Sequence, residues 1–228
     1  MTGDLYAFGS SHTAGHSLDA RLSLKFLKQW YFENYGVETY EELYVKTNDK
    51  QREEIIHKFN KTVLNGKVNH PENSYASYLA RNLSMSIKNF SVSGTGIDTV
   101  YREFQKQLQN INWSKDIVLI ELPQIHRYKS EKSNIQYALD YNKKTSRYMP
   151  SLDSMEYFYA GIVSLFSKFP VHFINIMNDR HLDIKKYIEI HPLNTVTLMD
   201  MAEGKRYPSG HFWIGSHQQF ADHLAEKL

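Results

Sequence analysis

Apolar and polar positions follow two alternating periods along this chain. Short, nearly continuous apolar runs mark strands buried on both faces. Longer stretches with apolar residues every three to four positions mark helices packed on one side. The first run, residues 5–9, stops abruptly in Ser10, Ser11, His12 and Thr13. Residues 20–35 predict a helix, with Leu22, Leu24, Phe26, Leu27, Trp30 and Tyr31 in an apolar stripe. Residues 40–45 fit either period. Residues 48–64 predict an exposed amphipathic helix in which Ile55, Ile56, Phe59 and Val63 share a face and Asn48-Asp49 forms the N-cap. Residues 36–70 are therefore read as a helical insertion beside the sheet edge or as a plain helical hairpin.

The pattern restarts after Pro71. Residues 75–84 predict a helix, and 87–92 a second strand ending in Ser93-Gly94-Thr95-Gly96. Residues 97–111 carry Ile97, Val100, Tyr101, Phe104 and Leu108 at core spacing. Residues 116–122 (Asp-Ile-Val-Leu-Ile-Glu-Leu) give the clearest strand. Residues 128–149, rich in Asn, Lys and Tyr, predict a long loop with one helical turn. Then follow a helix (152–166), a fourth strand (171–176), a short helix (182–190), a fifth strand (195–199), a Gly/Pro-broken loop (203–212) and a closing amphipathic helix (216–228). Strands alternating with helices predict one α/β domain over residues 1–228. The expected form is three layers, α/β/α, around a five-stranded, mostly parallel sheet.

Composition narrows the function classes. The chain has 27 Lys and Arg against 25 Asp and Glu, scattered rather than clustered, so no nucleic-acid surface is expected. With no cysteine there is neither a disulfide nor a thiolate metal site. The most apolar run, 157–166, is too short to span a bilayer, and no membrane partner is expected. The chain enters a strand at once, so no secretory signal is read and a cytoplasmic location is the default expectation. Without such a signal, the Asn-x-Ser/Thr patterns at Asn60, Asn82, Asn89 and Asn112 are read as chance.

The chemistry gathers at strand ends, where open parallel sheets bind ligands. The first strand delivers Ser10, Ser11 and His12. The second delivers Gly94, and the third Gln124 and His126. The late loop adds Ser209 and His211, and the last helix opens with His217. Serine, histidine and backbone amides beside glycine are the groups an acyl-transfer site needs.

The order of these blocks resembles the SGNH (GDSL-type) hydrolase superfamily over nearly the whole chain. Phe8-Gly9-Ser10-Ser11-His12-Thr13-Ala14-Gly15 resembles its first block, and Asn89-Phe90-Ser91-Val92-Ser93-Gly94 its second. Ile120-Glu121-Leu122-Pro123-Gln124 stands at the third, and Tyr207-Pro208-Ser209-Gly210-His211 followed by Gly215-Ser216-His217 resembles the last. The resemblance implies a flavodoxin-like sheet and an ester hydrolase working through an acyl-serine. Ser11 matches the nucleophile and His211 the general base. The amides of Ser11 and Gly94 match oxyanion donors, with Gln124 the nearest side chain able to add a third. The substrate implied is a small-molecule or glycan ester, acyl or acetyl, with no cofactor.

The chain departs from that pattern in three places. Ser10 replaces the Asp before the nucleophile. Ile125 stands where the third-block Asn donor belongs. Pro208 and Ser209 occupy the positions of the Asp that precedes the histidine. Losing one side-chain oxyanion donor costs roughly 100- to 1000-fold in rate. A binding module on a degenerate SGNH fold and an O-acyltransferase therefore stand beside the hydrolase.

Individual residues also have plainer readings. Ser11 caps the following helix, His211 is a loop residue, and Gly94 is a turn glycine. His217 bonds backbone at the helix start. His12 and His16 lie at the surface, or His12 lines the pocket. His126 and Arg127 are solvated or meet an anionic group. The histidines lack ligand spacing, so no metal site is expected.

Overall fold

In a computed structural model of the chain, the described residues are 3–16, 18–19, 21–67, 70–123, 127–129, 136–138, 152–176, 184–202 and 205–228. Strand β1 (Asp4–Phe8) lies between β2 (Ser86–Asn89) and β3 (Ile117–Leu122). An antiparallel pair follows, β4 (Arg127–Lys129) with β5 (Gln136–Ala138). Strand β6 (His172–Asn175) then adds to the free side of β3. The main sheet is parallel throughout, in the order β2-β1-β3-β6. Parallel neighbours need crossovers, and the helices supply them.

The helices are α1 (Leu24–Tyr35), α2 (Tyr40–Lys46), α3 (Asp49–Thr62), α4 (Tyr75–Asn82), α5 (Ile97–Gln107), α6 (Leu152–Phe166), α7 (Leu198–Ala202) and α8 (Ile214–Ala225). Because strand side chains alternate, Leu5, Ala7 and Leu119 face one core and Tyr6, Phe8, Val118 and Ile120 the other. The first core is closed by Tyr75 and Leu79 of α4, Leu198 of α7, and Phe220 and Leu224 of α8. The second is closed by Val100 and Phe104 of α5 and Val163 and Phe166 of α6. The result is an α/β fold with a parallel sheet flanked by helices.

A third core joins Leu27, Trp30, Leu43, Ile55 and Phe59 of α1–α3 to Tyr207 and Ile214 near the chain's end. Local signals start these helices. Ser23 and Thr39 cap α1 and α2 by accepting from Phe26 N–H and Glu42 N–H. Asn48 and Gln51 form a reciprocal capping box on α3. The span 40–45, which fitted either period, is thus helical. Among the described residues, no helix is long and apolar enough to cross a membrane.

Three expectations need correction. The main sheet has four strands in the described residues, and 195–199 is not a fifth. Its β-branched residues suggest a strand, but Thr197 and Asp200 bond each other's amides and side chains and so open α7. The edge of β6 is satisfied another way. Leu193 N–H donates to Phe173 O at 2.8 Å, and Met199 N–H donates to Ile176 O at 3.1 Å. Between them the Asn194 side chain acts as a peptide: Oδ1 accepts from Asn175 N–H at 2.9 Å, and Nδ2 donates to Asn175 O at 2.7 Å.

Second, the helix expected at 182–190 is a single 3-10 turn in the described part, Ile184–Lys186. Ile188 N–H still bonds Ile184 O at 3.0 Å, and Ile188 and Ile190 then pack on the second core without regular structure. Third, the loop expected at 128–149 holds parts of β4 and β5, and its remaining residues lie outside the described ones.

Asn194 is 5% exposed, so Asn194→Ala leaves the Asn175 peptide groups unpaired at a buried edge. The expected loss of stability is about 1–3 kcal/mol, read as a lower urea midpoint at unchanged slope. An unchanged midpoint would mean that the bridge contributes nothing.

Candidate active site

At the carboxyl end of β1 the chain makes a compact turn. Ala14 N–H bonds Ser10 O and His16 N–H bonds Ser11 O, each at 2.9 Å. Gly15 takes a positive φ of 75° and accepts from His70 N–H at 2.9 Å. Beneath the turn lies a buried carboxyl group, Glu121, one residue before the end of β3. It accepts from Ser10 N–H at 3.1 Å and from Thr13 N–H at 3.2 Å, and also from both hydroxyls, Ser10 Oγ and Thr13 Oγ1. Thr13 Oγ1 also meets Tyr75 Oη at 2.7 Å. Burial pushes the Glu121 carboxyl above its ordinary range, and the hydrogen bonds from Ser10 and Thr13 oppose that push. Gly9 makes the approach feasible, because a Cβ there would sit 2.6 Å from Glu121 Cβ.

The opposite wall is the loop before α8. Arg206 and Phe212 form a β-bridge, and Tyr207 N–H donates to His211 O at 2.8 Å. Tyr207 is sunk in the third core and Phe212 in the first. His211 is fixed between these two anchors, and its Nδ1 lies 3.1 Å from Ser209 Oγ. Ser11, 4% exposed, and His211 line one cavity of about 200 Å3 with Ser10, His12, Glu121 and Ser209. His12 and His16 lean on His211, with ring centroids 5.2 and 4.3 Å away.

The other anticipated residues fall differently. Gly94 has a φ of 77° and is not in the described lining of that cavity. Its neighbour Ser93 lies 3.3 Å from His16 Nδ1, and Thr95 Oγ1 bonds Val92 O at 2.8 Å. Gln124 and His126 lie outside the described residues. His217 is fully buried in the first turn of α8, where its Nδ1 accepts from Tyr75 N–H, the first amide of α4, at 3.2 Å. Its Nε2 has no hydrogen-bond partner among the described residues. Burial, with His211 nearby, lowers the His217 pKa to about 3, so the ring is neutral at ordinary pH. Among the described residues, no group of three or more His, Asp or Glu side chains could hold a metal ion.

Sequence reasoning missed Glu121 and the wall residues Arg206 and Tyr40. A signal for Glu121 existed, since it is the one charge inside the apolar run Ile117-Val118-Leu119-Ile120-Glu121-Leu122. A buried strand tolerates such a charge only where donors converge on it.

No family model and no curated protein matches this sequence. Solved structures match by shape. One is a carbohydrate esterase whose active site displays divergent catalytic and non-catalytic binding functions. It matches with a TM-score of 0.50 at 11% identity, over 98% of this chain and 64% of its own. A G-D-S-L-family protein from Desulfitobacterium hafniense DCB-2 matches with a TM-score of 0.43 at 11% identity, over 100% of both chains. A family two carbohydrate esterase from Clostridium thermocellum, in complex with cellohexaose, matches at 0.42 and 13%, over 99% and 63%. The present chain spans 64% of the length of the first of these. What the first shares with it is the fold, and the chain has an SGNH hydrolase-like fold.

His217 sets a pH dependence. Its folded pKa, about 3, lies below the ordinary 6.5. The neutral ring therefore contributes stability that is complete above the ordinary value and is lost as pH falls towards the folded one. His217→Asn, whose Oδ1 can still accept from Tyr75, is expected to lose less stability than wild type between about pH 7 and about pH 4. Urea midpoints of both proteins across that range read the difference, and parallel curves would refute it.

Proposed function

We propose that the cavity is the active site of a serine ester hydrolase acting on an acyl or acetyl ester, with a carbohydrate ester as the favoured substrate class. The observation that carries this reading is the meeting of Ser11 and His211 in one cavity at the carboxyl end of a parallel sheet. The SGNH-like fold shared with a carbohydrate esterase supports it.

In the proposed reaction Ser11 Oγ attacks the ester carbonyl carbon. His211 Nε2 takes the hydroxyl proton, and a tetrahedral oxyanion forms. The role of Ser209 follows from its 3.1 Å contact with Nδ1. If Nδ1 carries the ring proton and Ser209 Oγ accepts it, Nε2 is left as the basic nitrogen. The Ser11 amide, held in the Glu121-bound turn, is the oxyanion donor, and Gly94 and Gln124 are the further candidates. As the tetrahedral species collapses, His211 returns the proton to the departing alcohol. Water then enters by the same route and frees Ser11 as the carboxylic acid leaves.

Glu121 defends the geometry rather than carrying the proton. It pins residues 10 and 13 on either side of Ser11, so the hydroxyl points from a rigid turn. Such rigidity lets a hydrogen-bonding site act without reorganising during reaction.

A second reading has an observation in its favour. The described partner of His211 Nδ1 is a hydroxyl, that of Ser209, and a hydroxyl stabilises imidazolium less than a carboxylate does. That suits a site that binds sugars without cleaving them. Intact-mass analysis after a fluorophosphonate separates the two readings. Wild type is expected to gain one adduct and Ser11→Ala none, and hydrolysis of 4-nitrophenyl acetate is expected to fall by about 1000-fold or more in the variant. Unlabelled wild type with equal turnover by both proteins would refute the hydrolase.

A further inference from the structure

One cation on the cavity wall has no work in that mechanism. Arg206 precedes the buried anchor Tyr207 and lines the cavity beside Tyr40. Its side chain is only 18% exposed. The guanidinium stacks 4.7 Å over the Phe212 ring and lies 5.7 Å from the Tyr40 ring. Its Nε is buried without a hydrogen-bond partner among the described residues. The charge is answered by Glu41 alone among the described residues, at 3.6 Å, beyond hydrogen-bond reach, and half of the Glu41 side chain is in solvent. A guanidinium donor buried without a partner at a cavity wall is costly.

Arg206 and Tyr40 also line a second cavity of about 150 Å3, between α1 and the start of α2. The two cavities therefore adjoin across this pair. The second holds Lys28 and Lys205 as well as Arg206, against one acid, Glu38. The carboxyl group of the first cavity, Glu121, is committed to the 10–13 turn. The wall leading away from Ser11 therefore carries a partly dehydrated guanidinium and tyrosine faces.

We infer that Arg206, with Tyr40, binds a carboxylate on the substrate, and that the ligand is an acidic saccharide bearing a uronate beside the ester. This deepens the esterase reading and rests on it for the position of the ester. A guanidinium offers two parallel N–H donors that match a carboxylate's two oxygens. The Arg206 ring stack fixes the plane of that fork before ligand arrives, which reduces the ordering cost of binding. A neutral sugar gives the same fork only hydroxyl acceptors and leaves the charge unanswered.

The test compares cellobiouronate with cellobiose, which differ by one carboxylate, on wild type, Ser11→Ala, Arg206→Gln and Arg206→Lys. Calorimetric titration on wild type and Ser11→Ala is expected to show the acid binding at least about tenfold tighter. That ratio should shrink with added salt, approach one in Arg206→Gln and be intermediate in Arg206→Lys. Equal affinities in wild type, binding of neither sugar, or a preference that survives Arg206→Gln would each overturn the inference. The wild-type comparison alone decides the matter should Arg206→Gln not fold. Acid preference without fluorophosphonate labelling would sink the esterase and leave the carboxylate site standing. Labelling without acid preference would do the reverse.

Discussion

The structure depends on placing one carboxyl group where almost no water reaches. A buried carboxylate is tolerable only when donors replace its hydration. Around Glu121 the replacements are two amides and two hydroxyls, all from a turn only seven residues long. That requirement fixes several residue choices at once. Residue 9 must lack a Cβ, and residues 10 and 13 must carry short hydroxyls. Residue 10 cannot be acidic without setting two carboxylates side by side, where each raises the other's pKa. Ser10, which departs from the first-block pattern the chain otherwise resembles, is thus the partner that Glu121 demands.

The second wall is held by a different force. Backbone bonds such as Trp213 N–H to Lys205 O close the His211 loop on itself, and apolar anchors seat it. Tyr207 reaches into the core of α1–α3, and Trp213 Nε1 donates to Leu22 O at 3.2 Å. Phe212 reaches instead into the core under the sheet. The helical region 24–62 thereby shapes the site from a distance. It supplies Tyr40 to the cavity wall and the hydrophobic seat for the loop that carries His211.

How much of this was legible follows from which forces are local. Strands β1 and β3 were plain because both of their faces are buried and the apolar runs show it. Helix caps at Asn48 and amphipathic spacing in α5 were equally readable, being short-range. The 195–199 segment misled because β-branching is only a statistical signal. The Thr197–Asp200 capping pair, also local, outweighed it once Asn194 had occupied the sheet edge. Block order suggested Ser11 and His211 at neighbouring strand ends and loops, and the two line one cavity. It could not show that Gly94 stands apart from the described cavity lining, or that Arg206 lies on that lining. Both depend on how loops from opposite ends of the chain lean together, which no short-range pattern encodes. Glu121 was visible as a misplaced charge, but its meaning required its partners.

The cation on the cavity wall bears on the charges that the proposed reaction creates. In the proposed reaction His211 becomes imidazolium while a hydroxyl, Ser209, faces its Nδ1. His217, close by, is held neutral by burial and adds no balancing charge. Imidazolium and oxyanion form together, so the net charge of the cavity is unchanged, and Arg206 beside them stays poorly neutralised. A substrate carrying its own carboxylate supplies the missing balance from the ligand side. Its field acts on both cations in a partly dehydrated space, where such interactions are stronger than in water. The under-used arginine is then the feature of the described cavity that an acidic substrate completes.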